Sequence, residues 1–190
     1  PAQSEFIYAA HDSVYFAHLL DDVSRYYSSV SGGRFDLSVT IVGEVANLPH
    51  PMAWYGNHPD LGEQKVRLVA DVVAELDHLV DFELFDTVMV IHAGAGEETD
   101  VLGDSPEQIY SSYLSPDDFL EARDEEILSF PWLETDDLTA SGEPVQIEHV
   151  LLLPETEYQD AAGGAGGFFG SMGVYRFEGG LRLGMLSLRA

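Results

Sequence analysis

The chain has 190 residues, and its 34 acidic side chains against 8 basic ones give a formal net charge of −26 at pH 7. Such a chain offers no basic patch, so we expect it to bind neither nucleic acid nor an anionic membrane. It contains no cysteine, which excludes disulfides, thiolate nucleophiles and cysteine-ligated zinc. No segment approaches the roughly 20 apolar residues that cross a bilayer, so we predict no membrane insertion. Residues 1–10 lack a signal-peptide pattern, and we expect that any targeting signal was removed.

Two explanations of the acidity stay open. The first is a solvated acidic surface of the halophilic type, on which counterions screen the repulsion between like charges. The second is calcium, because carboxylate oxygens are the ligands that this cation prefers. No loop has EF-hand spacing, and the carboxylates that motivate a calcium site are Asp117, Asp118, Glu121, Asp124, Glu125 and Glu126.

Helix and strand patterns alternate from the start of the chain. Apolar residues at steps of three and four predict an amphipathic helix over residues 12–30, which Asp12 or Ser13 would cap and Gly32 would end. The β-branched residues 35–42 predict a strand after it.

A second helix and a buried strand come next. One apolar stripe runs along residues 63–80 and predicts a core-facing helix, and the continuous apolar run 87–91 is typical of a strand covered on both faces. A strand, a helix and a strand in this order favour a parallel or mixed sheet with helical cover. We therefore predict an α/β (α+β) fold, a mixed β-sheet flanked by helices, as one domain over residues 1–190.

The second half of the chain is less regular. Ser115 followed by proline and two acidic residues predicts a helix that begins there and ends near Phe130. Residues 147–153 predict another buried strand, and the glycine-rich run 161–167 predicts a loop.

The last segment resembles the active helix of a zinc peptidase. It reads Phe177-Glu-Gly-Gly-Leu-Arg-Leu-Gly-Met-Leu-Ser-Leu, and it agrees with the pattern His-Glu-x-Gly-His-x-Leu-Gly-Leu-Pro-Asp-Leu at five positions. That pattern is similar to the one found in immune inhibitor A-like zinc metallopeptidases, a zincin family. The matching residues are Glu178, Gly180, Leu183, Gly184 and Leu188.

Three earlier segments also resemble this family, and they occur in the order that the family uses. They are residues 26–37, Trp54-Tyr-Gly, and the stretch from Phe85 through His92 to Glu98. The resemblance implies a zincin-like domain that ends in an active-site-type helix. It further implies that the chain is the N-terminal subdomain of a longer architecture, and that the protein is secreted or at the cell surface.

The residues that depart from the pattern include those at the two metal-ligand positions. In an HExxH helix two histidines lie four residues apart and bind zinc, while the adjacent glutamate acts as general base on the metal-bound water. Phe177 and Leu181 occupy those two ligand positions here, and neither side chain has a lone pair to offer a metal. Glu178 keeps the general-base position as a remnant, and a helix salt bridge to Arg182 is its simpler interpretation. We expect no zinc cofactor.

No histidine stands three or four residues from another, so no other pair is predicted on one helix face. His92 ends the buried strand, and we interpret it as a scaffold histidine that bonds to neighbouring backbone. Glu97 and Glu98 could hold a cation or cap a turn, and the sequence does not decide between these roles.

The functional prediction follows from the lost ligands. We expect a catalytically inactive metallopeptidase-like domain of an extracytoplasmic protein, which acts in binding or assembly with a protein or peptide partner. The alternatives are an active zinc-dependent endopeptidase with ligands that the sequence does not reveal, and a fragment of a structural subunit.

Overall fold

A computed structural model of the chain describes residues 12–56, 61–99, 108–156 and 181–189. The described helices are α1 (Ser13–Val30), α2 (Met52–Gly56), α3 (Leu61–Leu76) and α4 (Pro116–Asp124), with 3-10 turns at Asp77–Leu79, Phe82–Leu84 and Glu97–Thr99. The described strands are β1 (Asp36–Ala46), β2 (Thr87–Ala95), β3 (Ser112–Leu114), β4 (Leu133–Leu138), β5 (Pro144–Ile147), β6 (Val150–Thr156) and β7 (Leu181–Arg189). In this part of the chain no helix is both long and apolar enough to span a membrane.

Five strands form the main sheet in the order β1-β7-β2-β6-β3. Strand β7 is antiparallel to both β1 and β2, β6 is parallel to β2, and β3 is antiparallel to β6. Strands β1, β2 and β6 therefore run in the same direction, and their carboxyl ends lie at one edge of the sheet. The strands β4 and β5 form a separate antiparallel pair.

Helices cover both faces of this sheet, as the sequence predicts. Val88 and Val90 of β2 pack into a cluster that contains the buried face of α3. Met89 and Ile91, which alternate with them, pack with Phe16 of α1. The α+β class with a mixed sheet is thus confirmed, and β2 is buried on both sides because each face has its own helix.

The predicted local signals at α1 and α4 are also confirmed. The Asp12 carboxylate accepts hydrogen bonds from the backbone N–H groups of Val14 and Tyr15, each at 3.0 Å, which is the geometry of an N-cap. Gly32 follows the helix with a φ of 66°, a conformation that suits glycine. At α4 the Asp118 carboxylate accepts from the N–H of Ser115 at 2.7 Å. That helix ends at Asp124 rather than near Phe130.

The prediction of an active-site-type helix at the end of the chain is wrong over Leu181–Arg189, where the structure has strand β7. Apolar residues alternate with other residues at Leu181, Leu183 and Met185, so the sequence fits a period of two as well as a helical one. A glycine at position 184 weakens a helix by about 1 kcal/mol. The backbone groups of this segment are satisfied on both sides by β1 and β2, and this pairing decides the outcome.

Candidate functional site

The carboxyl edge of β1, β2 and β6 carries a cavity of about 220 Å³. Its apolar wall comes from Ala46 at the end of β1, Met52 of α2, Leu68 of α3 and Ile109. In open α/β sheets ligands bind beyond the carboxyl ends of the strands, so this edge is where a site is expected. Its lining residues come from five separate parts of the chain, and only the fold brings them together.

His92 is the buried polar residue of this cavity, with 1% of its surface exposed. Its Nδ1 lies 3.0 Å from the carbonyl oxygen of Ala93. A carbonyl only accepts, so Nδ1 carries the proton and Nε2 of the neutral ring has a free lone pair. By distance and angle Nε2 has no hydrogen-bond partner among the described residues, although the carbonyl of Ile109 lies near enough to act on the ring. The predicted bond to neighbouring backbone is therefore confirmed for one ring nitrogen and not for the other.

Burial is the largest influence on His92, and it lowers the pKa of the imidazole. The carbonyls of Ala93 and Ile109 and the carboxylates of Glu98 and Glu155 favour the protonated ring, but they do not outweigh the loss of hydration. His92 is consequently neutral at pH 7, and Nε2 is an acceptor.

The short helix α2 supplies a second polar anchor. The Tyr55 hydroxyl donates to Asp71 Oδ2 of α3 at 2.5 Å. Burial, followed by the hydrogen bond to Asp71 and the charge of that residue, raises the pKa of Tyr55 far above its usual range. The hydroxyl therefore remains a donor, and α2 is fixed against α3 at the cavity.

Exposed polar and aromatic groups form the mouth of the cavity. The imidazole of His50 stacks on the indole of Trp54, with 3.9 Å between the ring centroids. Both residues are exposed, and His50 and Asn47 line the cavity where it opens to solvent. Among the described residues that line the cavity none is lysine or arginine, so this part of the lining offers no positive charge to an anion.

The loop after β2 is anchored beside this site by Glu98. The Glu98 carboxylate accepts from the N–H of Ser111 at 3.1 Å and also from the Ser111 hydroxyl. A Cβ on Gly96 would lie 2.4 Å from a carboxylate oxygen of Glu98, so only glycine leaves room for this arrangement. Burial raises the pKa of Glu98, but the Ser111 hydrogen bonds and the nearby His92 outweigh it and lower the pKa. Of the two roles left open for Glu98, the described contacts favour the turn.

Lys65 lies next to this loop and is half-buried. Its Nζ donates to the Ser112 hydroxyl at 2.6 Å and lies 5.6 Å from the centre of the Tyr110 ring. Burial lowers the pKa of Lys65, although Asp118 and Glu98 oppose the change. The ammonium thus ties α3 to the edge strand β3.

A carboxylate cluster lies outside the cavity. Asp77, Asp136 and Asp137 each offer an oxygen, and these oxygens lie within 4.8 Å of one another. Two of these carboxylates already accept backbone hydrogen bonds, Asp77 from Asp136 at 2.9 Å and Asp137 from Phe82 at 2.6 Å. The carboxylates predicted for calcium, residues 117–126, form no such group within the described residues.

The predicted catalytic residue Glu178 and the ligand position Phe177 lie outside the described residues. Leu181 is described, and it pairs with Ala46 at the cavity's edge as the first residue of β7. Leu181 and Arg182 therefore stand in a strand rather than on a helix face. The sequence does not predict the cavity. The sequence feature that points towards it is the buried strand with His92 at its predicted end.

The structure does bring together two of the family-like segments. Tyr55, of the segment Trp54-Tyr-Gly, and His92, of the segment ending at Glu98, line the same cavity. Comparison of the chain with protein-family models, with curated proteins and with solved structures found no match.

Proposed function

We propose that the chain is a binding domain of an extracytoplasmic protein, built on a metallopeptidase-like frame without peptidase activity, and that its ligand occupies the cavity at the carboxyl edge of the sheet. The observation that carries the proposal is the buried His92, whose Nε2 lone pair has no partner among the described residues. A buried polar group without a hydrogen bond costs about 1 to 3 kcal/mol. A ligand that donates to it recovers part of this free energy.

The donor set at the cavity supports binding rather than zinc chemistry. A catalytic zinc takes three protein ligands, usually histidine, glutamate or aspartate. His50 and His92 are the imidazoles among the described lining residues, and no carboxylate is found with them in that part of the lining. The strand conformation of Leu181–Arg189 supports the same conclusion, because an HExxH site needs a helix.

The metallopeptidase-like part of the proposal rests on the order of the family-like segments. The convergence of Tyr55 and His92 on one cavity supports it, because a binding cleft can outlast the loss of a metal. Placement outside the cytoplasm rests on the resemblance alone.

The proposal is tested by three measurements on the same protein. After dialysis against zinc, elemental analysis is expected to find far less than one zinc per chain, and casein should not be cleaved over long incubation. A screen of small uncharged fragments by ligand-observed NMR is expected to find binders that the variant Asn47→Trp rejects, because an indole at the exposed mouth blocks the cavity. The control is Thr40→Trp, which places the same side chain at an exposed position of β1 outside the cavity. Stoichiometric zinc with chelator-sensitive cleavage would establish the peptidase instead.

A further inference from the structure

The volume of the cavity limits the size of a ligand. A cavity of about 150 Å³ lined by apolar side chains holds benzene. The volume here is about 220 Å³, which leaves room for one six-membered ring with one or two small substituents. A fused ring system or a long chain would protrude through the mouth between Asn47 and His50.

The lining limits the chemistry. The wall is apolar at Met52, Leu68 and Ile109, so it favours an apolar ring. His92 faces the same side of the sheet as Val88 and Val90, which alternate with it along β2 and pack towards α3. Its ring is therefore at the inner end of the cavity, and the exposed residues Asn47 and His50 are at the outer end. The polar group at the inner end of the cavity is thus Nε2 of His92, which is a hydrogen-bond acceptor.

Charge excludes several ligand classes. The chain carries a net charge of −26, and the lining that the structure describes contains no lysine or arginine. Phosphates and carboxylates would be repelled and would find no donor at Nε2. A neutral group with a single N–H or O–H is not repelled by the negative charge of the chain, and it can donate to Nε2 of His92.

We propose, resting on the binding function above, that the cavity takes a neutral hydroxy-aromatic ring, a phenol, whose hydroxyl donates a hydrogen bond to Nε2 of His92. The ring packs against the apolar wall, and the hydroxyl satisfies the buried lone pair. The phenol can be a free small molecule or a tyrosine side chain of a peptide, since both present the same group.

Access to Nε2 requires the wall to yield, since His92 is only 1% exposed. Met52 is the side chain best suited to move. It is unbranched and flexible, and its terminal methyl lies 3.4 Å from the position that a Cβ would take on Gly94, two residues after His92. The variant Met52→Ala shortens this part of the wall, and we expect it to bind the phenol at least as tightly as the wild type does.

The proposal predicts a dependence on pH. When His92 is protonated, Nε2 becomes a donor and rejects a phenol. Glu98 and Glu155 are the charged groups that act on this ring, and His50 and Tyr55 line the same cavity. Burial lowers the pKa of His92 below its ordinary value of 6.5, so phenol binding should be greatest where the ring is neutral and should fall as the pH drops through the lowered pKa.

The test compares p-cresol with toluene by NMR titration of the full chain. For p-cresol we expect a Kd on the order of 1 mM, and for toluene binding about threefold to tenfold weaker, the worth of one net hydrogen bond. In His92→Phe, whose fold is checked by circular dichroism, this preference should disappear. Met52→Ala, which keeps His92, should retain it and so separates loss of the acceptor from loss of the wall.

Equal binding of p-cresol and toluene to the wild type would rule out the proposal that the ligand is a phenol, but it would be compatible with the binding function. If neither binds, and the fragment screen finds nothing that Asn47→Trp rejects, the binding function fails as well. N-acetyl-tyrosinamide and N-acetyl-phenylalaninamide form a second arm: a preference for the tyrosine compound equal to that for p-cresol supports a peptide source. Rejection of both amides while p-cresol binds supports a free phenol.

Discussion

The hydroxyl of Tyr55 donates to the carboxylate of Asp71 at 2.5 Å, and this bond links the short helix α2 to α3 in addition to their packing. Tyr55 is 2% exposed and lines the cavity, so the bond lies directly behind the proposed site. A helix of five residues has little stability of its own. The position of the cavity wall thus depends on a tertiary contact rather than on helix propensity.

The variant Tyr55→Phe removes only the hydroxyl and leaves the Asp71 carboxylate without this donor. We expect the free energy of unfolding to fall by about 1.5 to 3 kcal/mol, the range for hydrogen bonds to charged groups. Urea unfolding measures the change, and Tyr26→Phe on the exposed face of α1 is the control, expected within about 0.5 kcal/mol of wild type. An equal effect of both variants would show that the bond to Asp71 does not hold α2.

The environment of Asp77 determines how its carboxyl group makes the stability of the fold depend on pH. Burial first, and the carboxylates of Asp136 and Asp137 after it, raise the pKa of Asp77, although the N–H of Asp136 and His78 oppose them. The folded chain therefore binds more protons than the unfolded chain between the ordinary pKa and the raised one. The contribution of Asp77 to the free energy of unfolding falls as pH rises through that window, because the folded chain disfavours the ionised carboxylate.

Asp77→Asn keeps an oxygen that accepts from Asp136 and removes the charge. At pH 7 we expect a gain of about 0.5 kcal/mol in unfolding free energy, in the range of exposed charge interactions. The gain should vanish near pH 3, where the carboxyl is protonated in both states. Asp86→Asn, an exposed residue outside the cluster, removes the same charge as a control. If it stabilises equally, the effect belongs to the net charge and not to the cluster.

Gly96→Ala tests the anchor of the loop after β2. The added Cβ would lie 2.4 Å from the Glu98 carboxylate, which would have to leave the N–H and hydroxyl of Ser111. Since the Glu98 side chain can swing away, the expected loss is that of its hydrogen bonds, about 1 to 2 kcal/mol by urea unfolding. Gly43→Ala is the matched control, because nothing lies within 4 Å of its Cβ position. A neutral Gly96→Ala would contradict the anchoring role of Glu98.

Lys65 is the only lysine, so its pKa can be measured directly. Reductive methylation with ¹³C gives one side-chain resonance besides the α-amino group, and its titration reports Nζ alone. Burial lowers the pKa of Lys65 despite Asp118 and Glu98, so we expect a midpoint below 10.5 in the folded chain and an ordinary one in urea. The folded state then binds fewer protons over that interval, and the contribution of Lys65 to stability rises with pH through it. A midpoint that urea does not change would mean that Nζ is fully hydrated.

How far the sequence predicts this fold depends on where each element gets its stability. Helix α1 carries its own cap at Asp12 and its own stop at Gly32, and strand β2 is apolar on both faces, so local patterns suffice for both. Residues 181–189 fit two periods, and only their position between β1 and β2 selects the strand. The three-residue strand β3 is likewise defined by pairing with β6 rather than by its own pattern.

The candidate site was harder to predict than the fold. Its residues are separated by up to 63 positions, from Ala46 to Ile109, and no spacing rule connects them. His92 could be recognised as buried, but the partner of each ring nitrogen depends on the folded backbone. The HExxH-like pattern predicts a site at Glu178, whereas the described lining of the cavity comes from earlier segments.

In both proposals Nε2 of His92 is an unprotonated hydrogen-bond acceptor that contacts the ligand. A long-range ¹H–¹⁵N spectrum of the uniformly labelled protein at pH 7 resolves each histidine nitrogen and its protonation state. We expect the His92 resonances of the Nδ1–H tautomer, and we expect the Nε2 resonance to shift on addition of p-cresol but not of toluene. A proton on Nε2 in the free protein, or an Nε2 resonance that p-cresol leaves unmoved at saturation, would show that His92 is not the acceptor for the ligand.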